Sequence, residues 1–434
     1  MSCHDRIRTD PIDVLRILGG RGAPLEPLIV DRNQVDDMPF HSMTVTGRAV
    51  GGRQFSGAGI GQSCAASLWS TLGEGVERLC LASPPPDLPV GRAQDLPGQA
   101  LTAEQWPLFT EEQLRAHDFP WSNLCEDLIC RWSCGVRLLT GVPYWAPASL
   151  IWVDRHADRF TAGFSTGTAC HTDPAQATLS AILEVVERDA FAILWEARAC
   201  VPCLDPQAQW QRPMVRQLDR ALAHRRQRLL LRDMTTDLGI PAVCAVIQDL
   251  QARRPALVVG TAADQTYEAA CFRAASEAWF CWTWMRDQHR RDLNASFDRA
   301  WEETTVPKDM RAHAFLYGFP EAGFMAQHLT APAFRFRSVA AETRSERPAL
   351  ATQLLIQKLE AAGFPVLEFQ ITLPEIAALG LVVHKVLVPK LTPLSIGRFC
   401  RALANSRIRT VPLCCGWSHH GVLPPAAAYP HPLP

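Results

Sequence analysis

Apolar residues recur at helical spacing in a few long stretches of the chain and alternate with polar ones in several short stretches. Leu68, Leu72, Val76 and Leu79 make one face of a helix predicted from about Ser63 to Leu81. A longer helix is predicted from Pro174, a favourable first-turn residue, to Trp195. Its core face is Leu179, Leu183, Val186, Ala190 and Ile193. A third, Tyr267–Met285, is loaded with aromatic residues: Trp279, Phe280, Trp282 and Trp284. Met43–Phe55 reads as two strands around the turn signal Gly51-Gly52. Gly57-x-Gly59-x-Gly61 reads as a loop entering the first helix, either a tight turn or a phosphate cradle of backbone N–H groups. Ala148–Val153 reads as a strand and Phe164–Cys170 as a glycine-containing loop, while residues 82–145 carry weak signals.

One helix-strand-strand pattern occurs twice. Met214–His224 is followed by strands Leu229–Met234 and Ala242–Ile247. Leu350–Ala362, stopped by Gly363, is followed by Val366–Ile371 and Leu381–Val388. The fold class is therefore α+β, a mixed α/β arrangement with duplicated units. No low-complexity linker divides the chain. We read residues 1–40 as an N-terminal segment, 41–434 as one domain, 300–345 as a mobile surface stretch and 430–434 as a Pro-rich tail.

Composition narrows the function classes. Of the 434 residues, 47% are apolar and 20% charged, which excludes a largely disordered chain. Lys plus Arg (43) nearly cancels Asp plus Glu (44), so there is no basic excess to recruit nucleic acid. The charged start has no apolar run behind it and no segment is long enough to span a bilayer, so we expect a cytoplasmic protein without a membrane partner. The 15 cysteines form no zinc framework, since Cys200 and Cys203 make an isolated CxxC.

The sharpest motif is S-x-x-x-E-x-x-E-R, present twice: Ser70, Glu74, Glu77, Arg78 and Ser180, Glu184, Glu187, Arg188. Glutamates at i and i+3 leave the same helical face. Each copy on its own is an ordinary surface Glu–Arg pair, but two on strongly amphipathic helices would bring four carboxylates together. Four such charges repel, and a divalent cation relieves them. Without His or Cys the all-oxygen set favours Mg²⁺, which completes its shell with water and substrate phosphate. A nucleotide triphosphate between the helices follows. Arg273 and Glu277, at i and i+4 on the aromatic helix, read either as a phosphate clamp with a further metal ligand or as a structural ion pair. No GxSxG or Ser-His-Asp spacing announces a nucleophile.

At these residues the chain resembles the YcaO family, ATP-using enzymes that activate backbone amides of peptides. The segments SLWSTLGEGVERLC, STGTACHTDPAQATLSAILEVVERDAFAILW and GTAADQTYEAACFRAASEA carry the resemblance, over roughly residues 40–434. It implies that Glu74, Glu77, Glu184 and Glu187 bind Mg²⁺. It also implies that Arg188 and Arg273 meet ATP phosphates, with Ser70, Arg78 and Glu277 beside them. Thr172 and Gln176 stand at nucleotide-contact positions where many members have Asn and Glu. Pro430-His431-Pro432-Leu433-Pro434 is similar to the PxPxP ending of azoline-forming members, so Pro430, Pro432 and Pro434 are expected to help catalysis.

The implied activity is cyclodehydration. A Cys, Ser or Thr of a ribosomal precursor peptide attacks the preceding amide carbonyl, ATP phosphorylates the amide oxygen, and a thiazoline or oxazoline results. The nucleophile then belongs to the substrate. The resemblance also implies a leader-binding partner in trans, related to ubiquitin-activating enzymes. The oligomeric state stays open, a homodimer included. The competing readings are a thioamide-forming relative and a nucleotide-binding accessory protein without turnover.

Overall fold

A computed structural model describes residues 14, 18, 29–33, 40–48, 54–117, 119–153, 160–161, 163–292, 294–305, 310–332, 337, 339, 345–395, 397, 401–419, 421 and 429–433. Three sheets and five principal helices organise the site. Strands β1 (Ile29–Asn33), β2 (His41–Arg48) and β3 (Gln54–Gly61) form an antiparallel meander. It is followed by helix α1 (Cys64–Leu81), whose N-cap Ser63 accepts the Ala66 N–H.

Residues 82–145, weak in the sequence, hold two of the longer strands, β4 (Cys130–Arg137) and β5 (Val142–Pro147). They join β6 (Thr168–His171), β10 (Leu367–Gln370) and β11 (Val382–Leu387) in a seven-stranded sheet. Within it β5, β4, β10, β11 and β6 run side by side, with β6 at the edge. The third sheet places β7 (Gln227–Asp233) and β8 (Ala242–Asp249) before its edge strand β9 (Leu257–Ala263), all antiparallel. Helices α3 (Pro213–His224) and α4 (Tyr267–Arg291) pack on it.

Between the two larger sheets lies α2 (Pro174–Glu196), capped by the side chain of Asp173. Of its 23 residues 17 are buried, so it is a central helix rather than an amphipathic surface one. It packs against β11 and β6 of the seven-stranded sheet and against β8 and β9 of the third sheet, and its Leu183, Val186, Phe191 and Ile193 belong to the main core. Helix α5 (Pro348–Ala361) packs on α2 and ends at Gly363, whose φ of 86° is the left-handed stop its position predicts.

Three expectations are corrected. Ala148–Ile151 is a short helix: after Pro147 the chain turns, and its four residues are buried against β4 and β5 without pairing to them. The segment around Phe164–Cys170 closes as strand β6 from Thr168 onward, pairing with β11. The described part of 300–345 is not all surface: helix Arg311–Tyr317 and the turns after it bury Tyr317, Phe319 and Leu329 in the main core. Residues 306–309, 333–336, 338 and 340–344 of that stretch lie outside the described residues.

The glycines of Gly57-x-Gly59-x-Gly61 stand inside β3, not in a loop. A Cβ on Gly59 would lie 2.3 Å from the Thr71 backbone nitrogen, and one on Gly61 would lie 2.4 Å from that of Ser67. Their alternation puts all three against α1. Their role is to let strand and helix backbones touch, and that contact places Glu74. Among the described residues no helix is long and apolar enough to cross a membrane.

Candidate functional site

The strand-then-helix step occurs three times, at β3–α1, β6–α2 and β9–α4, each time from the edge strand of a sheet. Each helix carries a glutamate held by backbone 16 or 17 residues earlier. Ala58 N–H donates to Glu74 Oε2 (2.6 Å), Gly167 N–H to Glu184 Oε2 (3.2 Å) and Thr261 N–H to Glu277 Oε2 (2.8 Å). The near-equal spacing and the shared strand-to-helix connection mark the three units as structural repeats.

The second glutamate of each motif reaches the next unit. Glu77 of α1 accepts the N–H of Cys170 in β6 at 2.7 Å. Glu187 of α2 accepts the hydroxyl of Thr261 in β9 at 2.6 Å. The chain of contacts runs α1 to β6 and α2 to β9, and draws five carboxylates from three helices together. In α4 the corresponding positions are Phe280 and Cys281, so its copy of the motif is incomplete.

Electrostatics confirm the crowding. Burial, then the charges of Glu184 and Glu74, push the Glu77 carboxyl well above its ordinary range, against the pull of the Cys170 N–H. Burial also raises Glu184, with Glu187 adding to it and Arg188 and Lys385 opposing. Glu277 is pushed up to about 7 by burial and by Glu187. Two buried cations face these groups. Arg188 Nε lies 3.8 Å from an oxygen of Glu184 and 3.8 Å from one of Glu187, too far for hydrogen bonds. That nitrogen is buried with no hydrogen-bond partner. Lys385 of β11 is fully buried and donates to the carbonyls of Phe164 and Thr166 (2.6 and 2.7 Å). It thereby ties down the segment that presents Gly167. Burial lowers its ammonium to about 7, against Glu184.

The donor set fits a hard divalent cation: all oxygen, negative in excess, each carboxylate preset by a strand N–H or hydroxyl. Among the described residues no three His, Cys, Asp or Glu side chains stand close enough to hold an ion as placed. The orphaned Arg188 Nε and the raised carboxyls are what an anionic ligand with its cations would satisfy.

The other predicted positions surround this cluster. Ser70 is exposed one turn before Glu74, and Arg78 pairs with Glu74 at 2.5 Å. Thr172 is exposed before α2, and the amide of Gln176 donates to Ser180 Oγ (3.2 Å). Arg273 is half exposed and its ion pair is with Asp264 at 3.4 Å, so of the two readings of Arg273 and Glu277 the structural ion pair between them is not formed. Lys385 and Thr261 escaped the sequence reading. The one signal for Lys385 was a cation inside the apolar strand Val382–Leu387.

The tail is packed inside. Pro430, His431, Pro432 and Leu433 are buried, while Pro434 lies outside the described residues. The Tyr317 hydroxyl donates to the Pro430 carbonyl (2.5 Å), and His431 Nε2 donates to the Ser395 carbonyl (2.7 Å). The His431 ring stands edge-on to Phe191 of α2, centroids 6.1 Å apart, one turn beyond Glu187 and Arg188. Burial first, then His313, with a contribution from the Arg188 charge, keeps its imidazole well below the usual range. Ion pairs from Arg401 to Glu196 and from Arg407 to Asp189 fasten the preceding segment to the same helix.

Solved structures share this fold. A heterocyclase solved in complex with substrate and cofactor superposes with a TM-score of 0.74 at 22% identity, covering 98% of this chain and 57% of that one. The YcaO protein of Methanopyrus kandleri, bound with AMPPCP and Mg²⁺, gives a TM-score of 0.62 at 20% identity over 84% of this chain and 86% of its own. An uncharacterized protein of the tfuA 3′ region in Rhizobium leguminosarum bv. trifolii is 35% identical over 127 residues, 27% of this chain and 29% of the relative. The chain thus spans just over half of that heterocyclase and under a third of the rhizobial protein. The family model described as YcaO cyclodehydratase, ATP- and Mg²⁺-binding, matches residues 58–392, and the chain belongs to the YcaO family.

Proposed function

We propose that this protein is an ATP-dependent cyclodehydratase that closes thiazoline or oxazoline rings at Cys, Ser or Thr of a ribosomally made precursor peptide. The observation that carries the reading is the group of Glu74, Glu77, Glu184, Glu187 and Glu277, with Glu187 buried and the rest partly buried, each with an oxygen held by a neighbouring strand or the residue entering it. Glu74, Glu77, Glu184 and Glu187 are the Mg²⁺ ligands in this proposal, with Glu277 as a fifth acidic group. Arg188 and Arg273 face phosphates, and Ser70, Arg78, Thr172 and Gln176 form the nucleotide rim. When bound, Mg²⁺-ATP supplies the phosphoryl group that turns the amide oxygen into a leaving group.

The chain's own work is positional. The strand N–H groups fix the carboxylates before any ligand arrives, so their reorganisation costs little. Lys385 pins the carbonyls of Phe164 and Thr166, and through them the Gly167 N–H that orients Glu184. The buried Pro430–Leu433 segment stiffens the floor beside Arg188. Proline fixes φ and removes a donor, so such a segment loses little entropy in holding its place. In the peptide, the side-chain sulfur or oxygen bonds to the carbonyl carbon and the carbonyl oxygen departs, a net loss of one water per ring. The family resemblance supports a leader-binding partner in trans.

The test is reconstitution with a Cys/Ser/Thr-rich precursor encoded near its gene and the accompanying leader-binding protein. Mass spectrometry should record loss of one water per ring, dependent on both ATP and Mg²⁺. ATP consumption with no change in peptide mass, or ring formation without ATP, would overturn the proposal.

A further inference from the structure

A second charged site lies at the far end of α4, independent of the reaction proposed above. A cleft of about 400 Å³ is lined by Arg225, Arg253, Arg254, Arg286 and Arg290 around the indole of Trp282. These arginines come from three separate segments: the end of α3, the turn between β8 and β9, and the last turns of α4. At a rise of about 1.5 Å per residue, Arg286 and Arg290 stand roughly 14 and 20 Å along the helix from Glu277. The chain as a whole has a formal charge of −1, so this concentration of cations is local.

Little neutralises it. Asp249, the acid in the lining, is engaged by Arg253, whose guanidinium lies 2.8 Å from it. Arg286 pairs with Asp287 at 3.2 Å. Among the described residues Arg225, Arg254 and Arg290 have no carboxylate partner. Arg225 and Arg286 stand 5.8 and 5.2 Å from the centroid of Trp282, and Arg254 lies over Phe319 at 4.3 Å. Ring contacts of this kind hold guanidinium groups in place without consuming their charge. Burial, then the Arg254 charge, drives the neighbouring His289 down to about 4, so its imidazole adds no anion and no cation at neutral pH.

The geometry points to a binding site for a compact phosphorylated anion with at least two negative charges, such as pyrophosphate or a nucleoside diphosphate. Convergence from three segments suits a small ligand better than an extended chain, and the volume lies in the small-ligand range. All the cations are arginine, whose planar fork meets oxyanions in pairs of hydrogen bonds.

Titration calorimetry on the full chain in EDTA and low salt tests this with pyrophosphate, adenosine diphosphate and hexaglutamate as probes. Saturable binding of one pyrophosphate per chain is expected, and Arg290→Glu should weaken it at least tenfold. Arg225→Gln should do the same. Arg115→Gln, on a distant surface helix, should leave it unchanged. Tighter binding of adenosine diphosphate than pyrophosphate would identify a nucleotide as the ligand, and equal binding a free phosphate anion. Absence of saturable binding, equal or tighter binding of hexaglutamate, or an unaltered affinity in the folded Arg290→Glu protein overturns the assignment. Because Arg225 also packs on Trp282, the exposed Arg290 variant is the deciding one.

Discussion

Thr261 joins two helices through Glu187: its hydroxyl donates to Glu187 Oε1 at 2.6 Å, while its own N–H holds Glu277. One residue of an edge strand therefore holds two carboxylates, the buried Glu187 and the partly buried Glu277.

Thr261→Val keeps the shape and the N–H but removes the hydroxyl. Glu187 then loses a partner inside the protein, which costs about 1–3 kcal/mol. Urea denaturation in EDTA should show that loss. ATP turnover should fall further than nucleotide binding, because Glu187 is no longer held in register. An unchanged midpoint and turnover would show that the hydroxyl does not position Glu187.

Gly59→Ala tests the contact between β3 and α1. The added methyl would meet the Thr71 nitrogen at 2.3 Å and the Ser67 carbonyl oxygen at 2.7 Å, backbone atoms that cannot rotate away. We expect a loss of about 3 kcal/mol and displacement of Glu74. A phosphate-cradling loop would predict a different result, weakened nucleotide binding with full stability.

His431 predicts a pH response of the tail. Its Nε2–H donates to Ser395 O and its Nδ1 accepts the Leu433 N–H at 3.3 Å, so the neutral ring is required. A histidine whose folded-state pKa lies below 6.5 takes up its proton more readily when unfolded. Its stability contribution is therefore complete above about pH 6.5 and declines as pH falls below that value. Hydrogen exchange across residues 429–433 should speed up on acidification, and His431→Gln should flatten the response. Equal pH profiles in the two proteins would dismiss this device.

Deleting residues 430–434 should reduce ring formation by about a hundredfold, the size expected when a positioning element is lost, while nucleotide binding holds. Full heterocycle formation by the shortened chain would show the tail to be dispensable.

Much of this was legible where local signals and packing agree. Ser63 and the Leu68, Leu72, Val76, Leu79 face announced α1, and the doubled motif put Glu74, Glu77, Glu184 and Glu187 on two helices, α1 and α2, whose second glutamates each reach a strand of the next unit. The third unit was hidden because Phe280 and Cys281 replace its second glutamate and arginine, leaving Glu277 without a repeat to recognise. The strands β4 and β5 were missed because β4 buries Ser133 and Gly135 beside its apolar residues and β5 opens and closes around prolines, so neither alternates cleanly. The pairing of β4 with β10, more than two hundred residues later, is a tertiary fact. Lys385 acts through the carbonyls of Phe164 and Thr166 and Thr261 through the Glu187 carboxylate, contacts with distant segments that no spacing in the sequence encodes. The glycines of β3 were visible, but whether their missing side chains admit a phosphate or a helix depends on what packs there.

The most direct test of the carboxylate cluster as the Mg²⁺-ATP site is ATP consumption by Glu74→Gln and Glu187→Gln, with precursor and partner present. The amide keeps the shape and removes the charge, so both variants should fold with unchanged circular dichroism. Both should lose Mg²⁺-dependent turnover by at least about a hundredfold. Turnover at the parent rate in both folded variants would contradict the account.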